Sequence, residues 1–260
     1  MRRYQLFWGG ILLLVGFLML ASAMGITLPN GSSLMSIFWP LLLIGFGVWV
    51  LAGVFLRGKV EEESASIELQ DASTASLRVN HGAGELRLHS GALSHELARG
   101  MFVGGLEHKA SRNGDRLEVK MRPARDISFP FIGPRFSLDW DVALNPSIPT
   151  DLEFNLGANK SVIDLRDMNI TGLHFKTGAS DSTITLPASG RLSADFEIGA
   201  ASLTLIVPDG IAIRVRATLG AGDMSVDRSR FPQDVSPDFD TAANAVDINV
   251  KGGACSVRVR

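Results

Sequence analysis

Cysteine, clustered histidine and an excess of charge of either sign are all scarce in this sequence, and each scarcity excludes a class of protein. The 260 residues contain one cysteine, Cys255, which excludes an internal disulfide framework. The five histidines form no short metal-ligand spacing with a cysteine or with paired acids, so no metal site is predicted. The formal net charge is only −2, which gives no electrostatic basis for binding nucleic acid.

Catalytic and cofactor motifs are missing as well. The sequence has no Gly-x-Ser-x-Gly elbow, and no spacing suggests a Ser/His/Asp set. Lys160-Ser161 follows Gly157 as a Lys-Ser pair follows the glycines of a phosphate-binding loop, but the second glycine and the Gly-Lys spacing are absent. We therefore predict a protein without catalytic residues, without a cofactor and without a metal ion.

A repeat of fixed length dominates residues 152–226. Gly-Ala pairs recur there in steps of 21 residues, and a period of this size is typical of stacked repeat units. The same phrase, an alternating run that ends in Gly-Ala, occurs once before and once after this block. We interpret all six as structural repeat glycines: Gly82, Gly157, Gly178, Gly199, Gly220 and Gly253.

Apolar and polar residues alternate before each glycine, as in Leu152, Phe154 and Leu156 ahead of Gly157. This period of two predicts a strand with one buried face. Apolar residues return six positions after the glycine, for example at Ile163, so each unit consists of strand, Gly-Ala corner, strand and polar turn. A corner between strands needs glycine either for a positive φ or for the close approach of stacked backbones.

Equal repeat lengths favour stacked coils, in which each strand pairs with its equivalent one coil away. We therefore predict that residues 67–260 form an all-β domain of the β-solenoid type, single-stranded and β-helix-like, with 21-residue coils. An antiparallel β-sandwich is the alternative. One coil cannot bury its apolar face alone, so neighbouring coils are obligatory.

The last coil stands apart from the regular block. The step from Gly220 to Gly253 is 33 residues, and the surplus falls at 231–240, which we predict to be a surface loop inserted between coils. Arg258 and Arg260 would make the terminal edge of the stack polar and so help to block end-to-end addition.

Two histidines have defined positions in the repeat. His174 occupies an outward strand position, which predicts exposure to solvent. His81 occupies a column that is mostly apolar in the other repeats, which would fit a frayed first coil.

Residues 91–150 break the period and are predicted to form an irregular hairpin and cap region. Asn113-Gly114 lies between two alternating runs, which is typical of a hairpin. A proline-punctuated apolar loop follows, and it holds a candidate interaction loop: Phe129, Phe131 and Ile132. Such a loop either folds over the open end of the solenoid as a cap or offers an exposed contact surface to a partner or to the membrane.

The N-terminal part differs in kind from the rest. Two uncharged apolar runs, 6–26 and 34–56, are each long enough to cross a bilayer as a helix, since about 20 apolar residues suffice. Pro29-Asn30-Gly31 between them is a turn signal. We predict a two-helix transmembrane hairpin in residues 1–57, followed by a solvated linker in residues 58–66.

Positive charges flank this hairpin at its two outer ends. Arg2 and Arg3 precede the first run, and Arg57 and Lys59 follow the second. Because positive residues stay on the cytoplasmic side, we predict a two-pass protein of the bacterial cytoplasmic membrane with both termini and the β domain in the cytoplasm. A signal peptide cleaved near residues 21–23 is a rival reading of the first run, and it leaves the second span and the β domain where they are.

The assembled features resemble the LiaF-like family of bacterial membrane proteins. The resemblance to the transmembrane region of that family lies in Phe7-Trp8-Gly9-Gly10-Ile11 and Phe38-Trp39-Pro40-Leu41. The resemblance to its toast-rack β domain lies in Gly104-Gly105, Trp140 and the Gly-Ala repeats. The resemblance implies a β-helix-like stack and a role as an envelope-stress regulator that restrains a membrane histidine kinase. It brings no catalytic motif.

We therefore expect a membrane-anchored, non-enzymatic interaction or regulatory protein, acting as an envelope-stress signalling adaptor. Its partners would be the lipid bilayer and either a membrane protein such as a sensor kinase or further copies of the chain, with no nucleic acid. A self-assembling structural scaffold at the membrane is the alternative. A polysaccharide-binding solenoid is less favoured, because an outer strand column holds no aromatic residue: Glu153, His174, Asp195 and Arg216.

Overall fold

The computed structural model describes residues 62–124 and 138–260, together with isolated positions 16, 20, 40, 43 and 44. Apart from those isolated positions, the predicted spans 6–26 and 34–56 lie outside the described residues. Within the part of the chain that is described, no helix has both the length and the hydropathy of a membrane span.

The two described segments form a mostly β domain, as predicted. Its strands, in chain order, are β1 (Glu62–Glu68), β2 (Thr74–Ser90), β3 (Glu96–Val103), β4 (Leu106–Asn113), β5 (Arg116–Pro123), β6 (Trp140–Leu144), β7 (Thr150–Asp164), β8 (Ile170–Thr185), β9 (Arg191–Ile198), β10 (Ser202–Ile206), β11 (Ala212–Leu219), β12 (Asp223–Val226), β13 (Ala245–Gly252) and β14 (Ser256–Val259).

The strands are arranged on two faces that share one core. The long strands β2, β7 and β8 pass through a Gly-Ala corner and contribute one half to each face. The first face has the order β4-β5-β2-β7-β8-β9-β13-β11. The second face has the order β1-β3-β6-β2-β7-β8-β10-β14-β12. Each turn of the chain over both faces is one coil of the stack.

Successive repeats pair in parallel with an offset of one period. On the first face Phe154 lies opposite Phe175, and Phe175 lies opposite Phe196. Antiparallel pairing occurs in the described residues between β1 and β3, β3 and β6, and β4 and β5, all at one end of the stack. The alternative of an antiparallel sandwich is therefore wrong for the repeats.

The core lies between the two faces and is built from the inward positions of each strand. Phe154, Phe175 and Phe196 form an aromatic ladder along the stack, with ring centroids 5.9 Å and 6.1 Å apart. All three rings are at most 1% exposed. Inward positions after the corner, such as Ile163 and Ile184, are equally buried on the second face.

The order of the coils in the stack differs from their order in the chain. Strand β13 lies between β9 and β11, and β14 lies between β10 and β12. The coil of Gly253 is therefore inserted between the coils of Gly199 and Gly220. The prediction that Arg258 and Arg260 form the terminal edge is wrong, because β14 is an interior strand and the edge strands at this end are β11 and β12.

The segment after β12 explains this arrangement. It returns along the outer edge of β11, where the Val215 N–H donates to the Asp234 carbonyl oxygen at 2.7 Å and the Ser236 N–H donates to the Ile213 carbonyl oxygen at 2.8 Å. Phe239 is 4% exposed, so the predicted surface loop at 231–240 buries part of itself while it covers this strand edge. The last coil, with strands β13 and β14, then pairs on the inner side of β11 and β12.

The opposite end of the stack also departs from the prediction. Residues 62–66, predicted to be part of a linker, belong to strand β1, which pairs with β3. The region 91–150 contributes four strands, of which β4 and β5 form a hairpin around Gly114. Side chains of β4 from residue 108 onward are exposed, so this hairpin is the outermost layer of the first face.

Candidate interaction groove

The six repeat glycines lie in one column across the corners of the stack. A Cβ added to Gly199 would lie 2.5 Å from the Gly178 carbonyl oxygen, and one added to Gly157 would approach the Gly82 carbonyl oxygen even more closely. The corresponding distances to the glycine before it in the stack are 3.3 Å for Gly178, 3.1 Å for Gly253 and 3.4 Å for Gly220. None of the six has a positive φ, so the close approach of stacked backbones is the reason for glycine here.

A groove of about 1370 Å³ runs along this column on the side of the first face. Its floor includes four of the repeat glycines, which have no side chains to fill the space above the corner: Gly82, Gly157, Gly199 and Gly253. Its wall is the row of outward side chains two positions before the corner, one from each coil: Asn80, Asn155, Lys176, Glu197, Lys251 and Thr218. We call this row the groove wall. Arg122 and Leu138 lie at the end of the groove nearest β5 and β6.

The charged groups of the groove are mostly cationic. Lys176 Nζ lies 2.9 Å from Glu197 Oε2, and both side chains are about half exposed, at 54% and 55%. Lys251 lies opposite Glu197 in the strand register, on the other side from Lys176. At the groove end, Arg122 Nη2 lies 2.7 Å from Glu107 Oε1, and this hydrogen bond lowers the pKa of the Glu107 carboxyl. The groove therefore holds three cations and one carboxylate within a chain of net negative charge.

His81 lies beneath the same end of the groove and is 1% exposed. Its Nε2 is 2.7 Å from the Leu138 carbonyl oxygen; since a carbonyl only accepts, Nε2 carries the hydrogen and donates. Within residues 62–124 and 138–260, Nδ1 is then a buried acceptor without a partner, and Trp140 Nε1 is a buried donor without one. The two rings are 5.1 Å apart. Burial lowers the pKa of His81 below its ordinary value. The idea of a frayed first coil is wrong, because this histidine is packed in the core.

A second row of outward side chains, four positions before the corner, links the coils across the first face. Arg78 lies 2.6 Å from Glu153, and His174 Nδ1 lies 3.5 Å from Asp195. Asn249 donates to Asp195 at 3.1 Å across the inserted coil. His174 has a side chain that is 55% exposed, as expected for an outward position. Each ion pair this exposed stabilises the fold by only about 0.2–1 kcal/mol. The pairs therefore serve mainly to align neighbouring strands in register.

Reactive chemistry is sparse in the described segments. No group of three or more His, Cys, Asp or Glu side chains within 62–124 and 138–260 is arranged to hold a metal ion. Cys255 is 5% exposed, and burial, followed by the nearby Asp223 carboxylate, raises the pKa of its thiol. A thiol kept protonated and covered is a poor nucleophile.

The sequence predicts the residues of the groove wall individually but does not predict that they form one wall. Alternation alone marks Asn155, Lys176 and Glu197 as outward residues of successive coils. Their grouping into one wall follows only when the adjacent glycines are known to leave the corner empty. The candidate interaction loop of Phe129, Phe131 and Ile132 lies outside the described residues.

A solved structure shares this architecture. A crystal structure of a "putative cell adhesion protein" from Clostridium sporogenes ATCC 15579 is similar with a TM-score of 0.65 and 18% sequence identity, covering 76% of this chain and 98% of that one. A "putative adhesin" from Bacteroides fragilis NCTC 9343 matches with a TM-score of 0.35 and 9% identity over 78% of this chain and 98% of that one, too weak a likeness to support any argument. The first likeness shows a shared fold.

Curated proteins with known roles provide no match. A family model does match, described as the N-terminal domain of toast_rack, DUF2154, and it covers residues 56–206, more than half of the chain. That stretch includes the long strands β2, β7 and β8 and four of the six repeat glycines. The chain belongs to the toast-rack family.

Proposed function

We propose that this chain is a membrane-anchored, non-enzymatic interaction protein whose toast-rack domain binds a protein partner in the groove along the glycine column. The observation that carries the proposal is the groove itself: about 1370 Å³ of open space, bordered by one outward side chain from each of six coils. A concave surface of this size, with a few polar groups at set positions, is the usual form of a binding site.

The groove floor is preorganised by backbone hydrogen bonds between neighbouring coils. The Gly199 N–H donates to the Thr177 carbonyl oxygen at 2.9 Å, and the Ala200 N–H donates to the Gly178 carbonyl oxygen at 2.8 Å. The inserted coil continues the pattern, since the Gly253 N–H donates to the Ile198 carbonyl oxygen at 2.9 Å. A surface that is already ordered loses little entropy on binding, so more of the contact energy remains as affinity.

The finer proposal concerns the setting of this groove. The apolar runs 6–26 and 34–56 and their positive flanks support a two-pass anchor in the bacterial cytoplasmic membrane with the domain on the cytoplasmic side. The resemblance to LiaF-like proteins supports a role as an envelope-stress adaptor that restrains a membrane partner such as a sensor kinase.

Site-specific photo-crosslinking in intact cells tests the groove as the docking site. A photoreactive phenylalanine analogue placed at Lys176 in the groove wall should give a discrete adduct with a partner protein. The same analogue at Val162, which is 42% exposed on the second face, is the matched control and should give none. Equal adduct patterns from both positions, or no adduct from either, would rule out the groove as the docking site.

Self-assembly into a scaffold is the second candidate function. The observation that favours it is the outer edge of β12, which pairs only with β14 among the described residues and leaves one row of backbone groups open. Open strand edges are templates for pairing with another chain. Light scattering of the purified full-length chain separates the two functions, because a scaffold grows in mass with concentration and an adaptor keeps one small mass.

The side of the membrane decides which partners are available. Adhesion, the role given in the name of the Clostridium neighbour, would need the domain outside the cell. The positive flanks of the two spans favour the inside. A reporter fused after Arg260 distinguishes these locations, and activity of an externally active reporter would overturn the cytoplasmic proposal.

A further inference from the structure

Among the described residues, the wall of the groove carries two ammonium groups and one carboxylate. Lys176 and Lys251 lie on either side of Glu197 in the strand register of the first face, and it is Lys176 that pairs with the carboxylate, at 2.9 Å. The Lys176–Glu197 pair is about half exposed on each side, and such pairs are worth only about 0.2–1 kcal/mol. An incoming carboxylate can therefore exchange into this row at little cost.

We infer that the partner engages the groove through an extended, acidic peptide segment. The inference rests on the proposed function and names the chemistry of the partner. The sign of the charge supports it, since Lys176 and Lys251 against Glu197 leave the groove wall with a net positive charge in a chain of net charge −2, while Arg122 is paired with Glu107. Complementary potential of this kind raises association rates and excludes partners of the wrong sign.

The spacing of the cations fits an extended chain. Lys176 and Lys251 are two strands apart, which is about 9.6 Å at the usual spacing of about 4.8 Å between strands. A polyproline-II segment advances about 3.1 Å per residue with three residues per turn, so every third side chain lies on one side at intervals of about 9.3 Å. Acidic side chains at positions i and i+3 of the segment then meet the two lysines.

The remaining groove residues suit a peptide backbone. Asn80 and Asn155 are neighbours in the strand register at one end of the wall, next to Lys176, and each side-chain amide combines donors with an acceptor, as a peptide bond requires. The glycine floor carries no side chain that would hold an extended chain away from the corner. Among the described groove residues no aromatic ring offers the stacking surface that a sugar would use.

Fluorescence anisotropy with the purified full-length chain in a non-ionic detergent tests the inference. The probe is a labelled peptide of three Glu-Pro-Pro repeats, and its matched control has Gln-Pro-Pro repeats. We expect the glutamate peptide to bind, the glutamine peptide to bind at least about fivefold more weakly, and added salt to weaken binding. The Lys251→Glu variant should lose at least about fivefold in affinity. Arg258→Glu makes the same charge change on the second face and should leave the affinity unchanged.

Four outcomes would overturn the inference. Equal binding of the two peptides, or an unchanged affinity in Lys251→Glu, would mean that charge does not select the segment. Binding of vesicles of anionic phospholipid, with no binding of the peptides, would assign the cations to a lipid surface. If no peptide binds but the crosslinker at Lys176 still captures a partner, only the inference of an acidic segment is refuted. If no peptide binds and the crosslinker captures no partner, the groove is also refuted as the docking site.

Discussion

Replacing repeat glycines by alanine one at a time should separate the column into sensitive and tolerant positions. Gly199 and Gly82 are the matched pair, since both precede alanine at a corner and neither has a positive φ. A Cβ on Gly199 would lie 2.5 Å from the Gly178 carbonyl oxygen, whereas a Cβ on Gly82 would meet no atom of the described residues within 4 Å. The two substitutions are therefore the same in chemistry and opposite in their surroundings.

The expected magnitudes follow from these distances. A carbon and a carbonyl oxygen are comfortable at about 3.3 Å, so alanine at 199 overlaps the Gly178 oxygen by about 0.8 Å. That oxygen cannot simply move, because it accepts the Ala200 N–H at 2.8 Å. Overpacking of this kind costs about 1–3 kcal/mol, while any Gly-to-Ala change gains about 0.4–1 kcal/mol by restricting the unfolded chain. Gly199→Ala should destabilise by about 1–2 kcal/mol, and Gly82→Ala should stabilise by up to about 1 kcal/mol.

Thermal and urea unfolding of the purified full-length chain, followed by circular dichroism of the β domain, measure both effects. For a domain of this size 1 kcal/mol moves Tm by about 2–4 °C, so the two variants should move it in opposite directions. Gly220→Ala, with its nearest contact at 3.4 Å, should behave like Gly82→Ala. Equal loss of stability at 82 and 199 would refute the reasoning, because it would mean that glycine is needed at every corner for backbone conformation.

Three further outcomes follow from the core, from a buried titratable group and from the coil order. Phe175→Ala, at the centre of the aromatic ladder, should cost about 3–5 kcal/mol in urea unfolding, and a loss below about 1 kcal/mol would contradict the packing described. Burial lowers the pKa of His81 below 6.5, so the unfolded chain takes up the proton first and stability falls as pH drops below 6.5. His81→Gln should make the unfolding free energy less dependent on pH in that acidic range, and identical pH profiles would count against the effect. In a background without the native cysteine, Asp195→Cys should form a disulfide with Asn249→Cys, because the two positions are paired on adjacent strands. It should form none with Arg216→Cys, which lies two strand spacings away, or about 9.6 Å. The reverse result would mean that the coils are stacked in the order of the chain.

The local features of the domain could be read from the sequence because they depend on near neighbours in the chain. Alternation with period two defines which side of a strand is buried, and this holds for the strand before Gly157 as for the strand before Gly178. A constant step of 21 residues brings equivalent positions of successive coils into register. Strand, corner and inward columns were therefore predictable.

The candidate site was predictable only in part. The glycines that form its floor stand out as a repeat, while Asn80, Lys176 and Lys251 are outward polar residues like many others. Their grouping depends on the empty space beside the column, and that space exists because backbones approach each other across coils. The sequence also did not show why glycine occupies the corners. A positive φ and a close approach of backbones both require glycine, so the two causes look the same in a sequence.

The order of the coils was decided by tertiary structure alone. Strand β13 carries Val246, Ile248 and Val250 inward and can fill an interior position, whereas β11 has the smaller Ala217 in the corresponding column. The choice depends on the segment 227–244 covering the edge of β11 and on β13 pairing with β9, from which it is separated in the chain by β10, β11 and β12. The period and the alternation define which residues of one coil correspond to those of another. They do not show which coils lie next to each other. An insertion such as 227–244 lets the chain pass over β11 before the last coil joins the stack, and only the tertiary structure shows where that coil pairs.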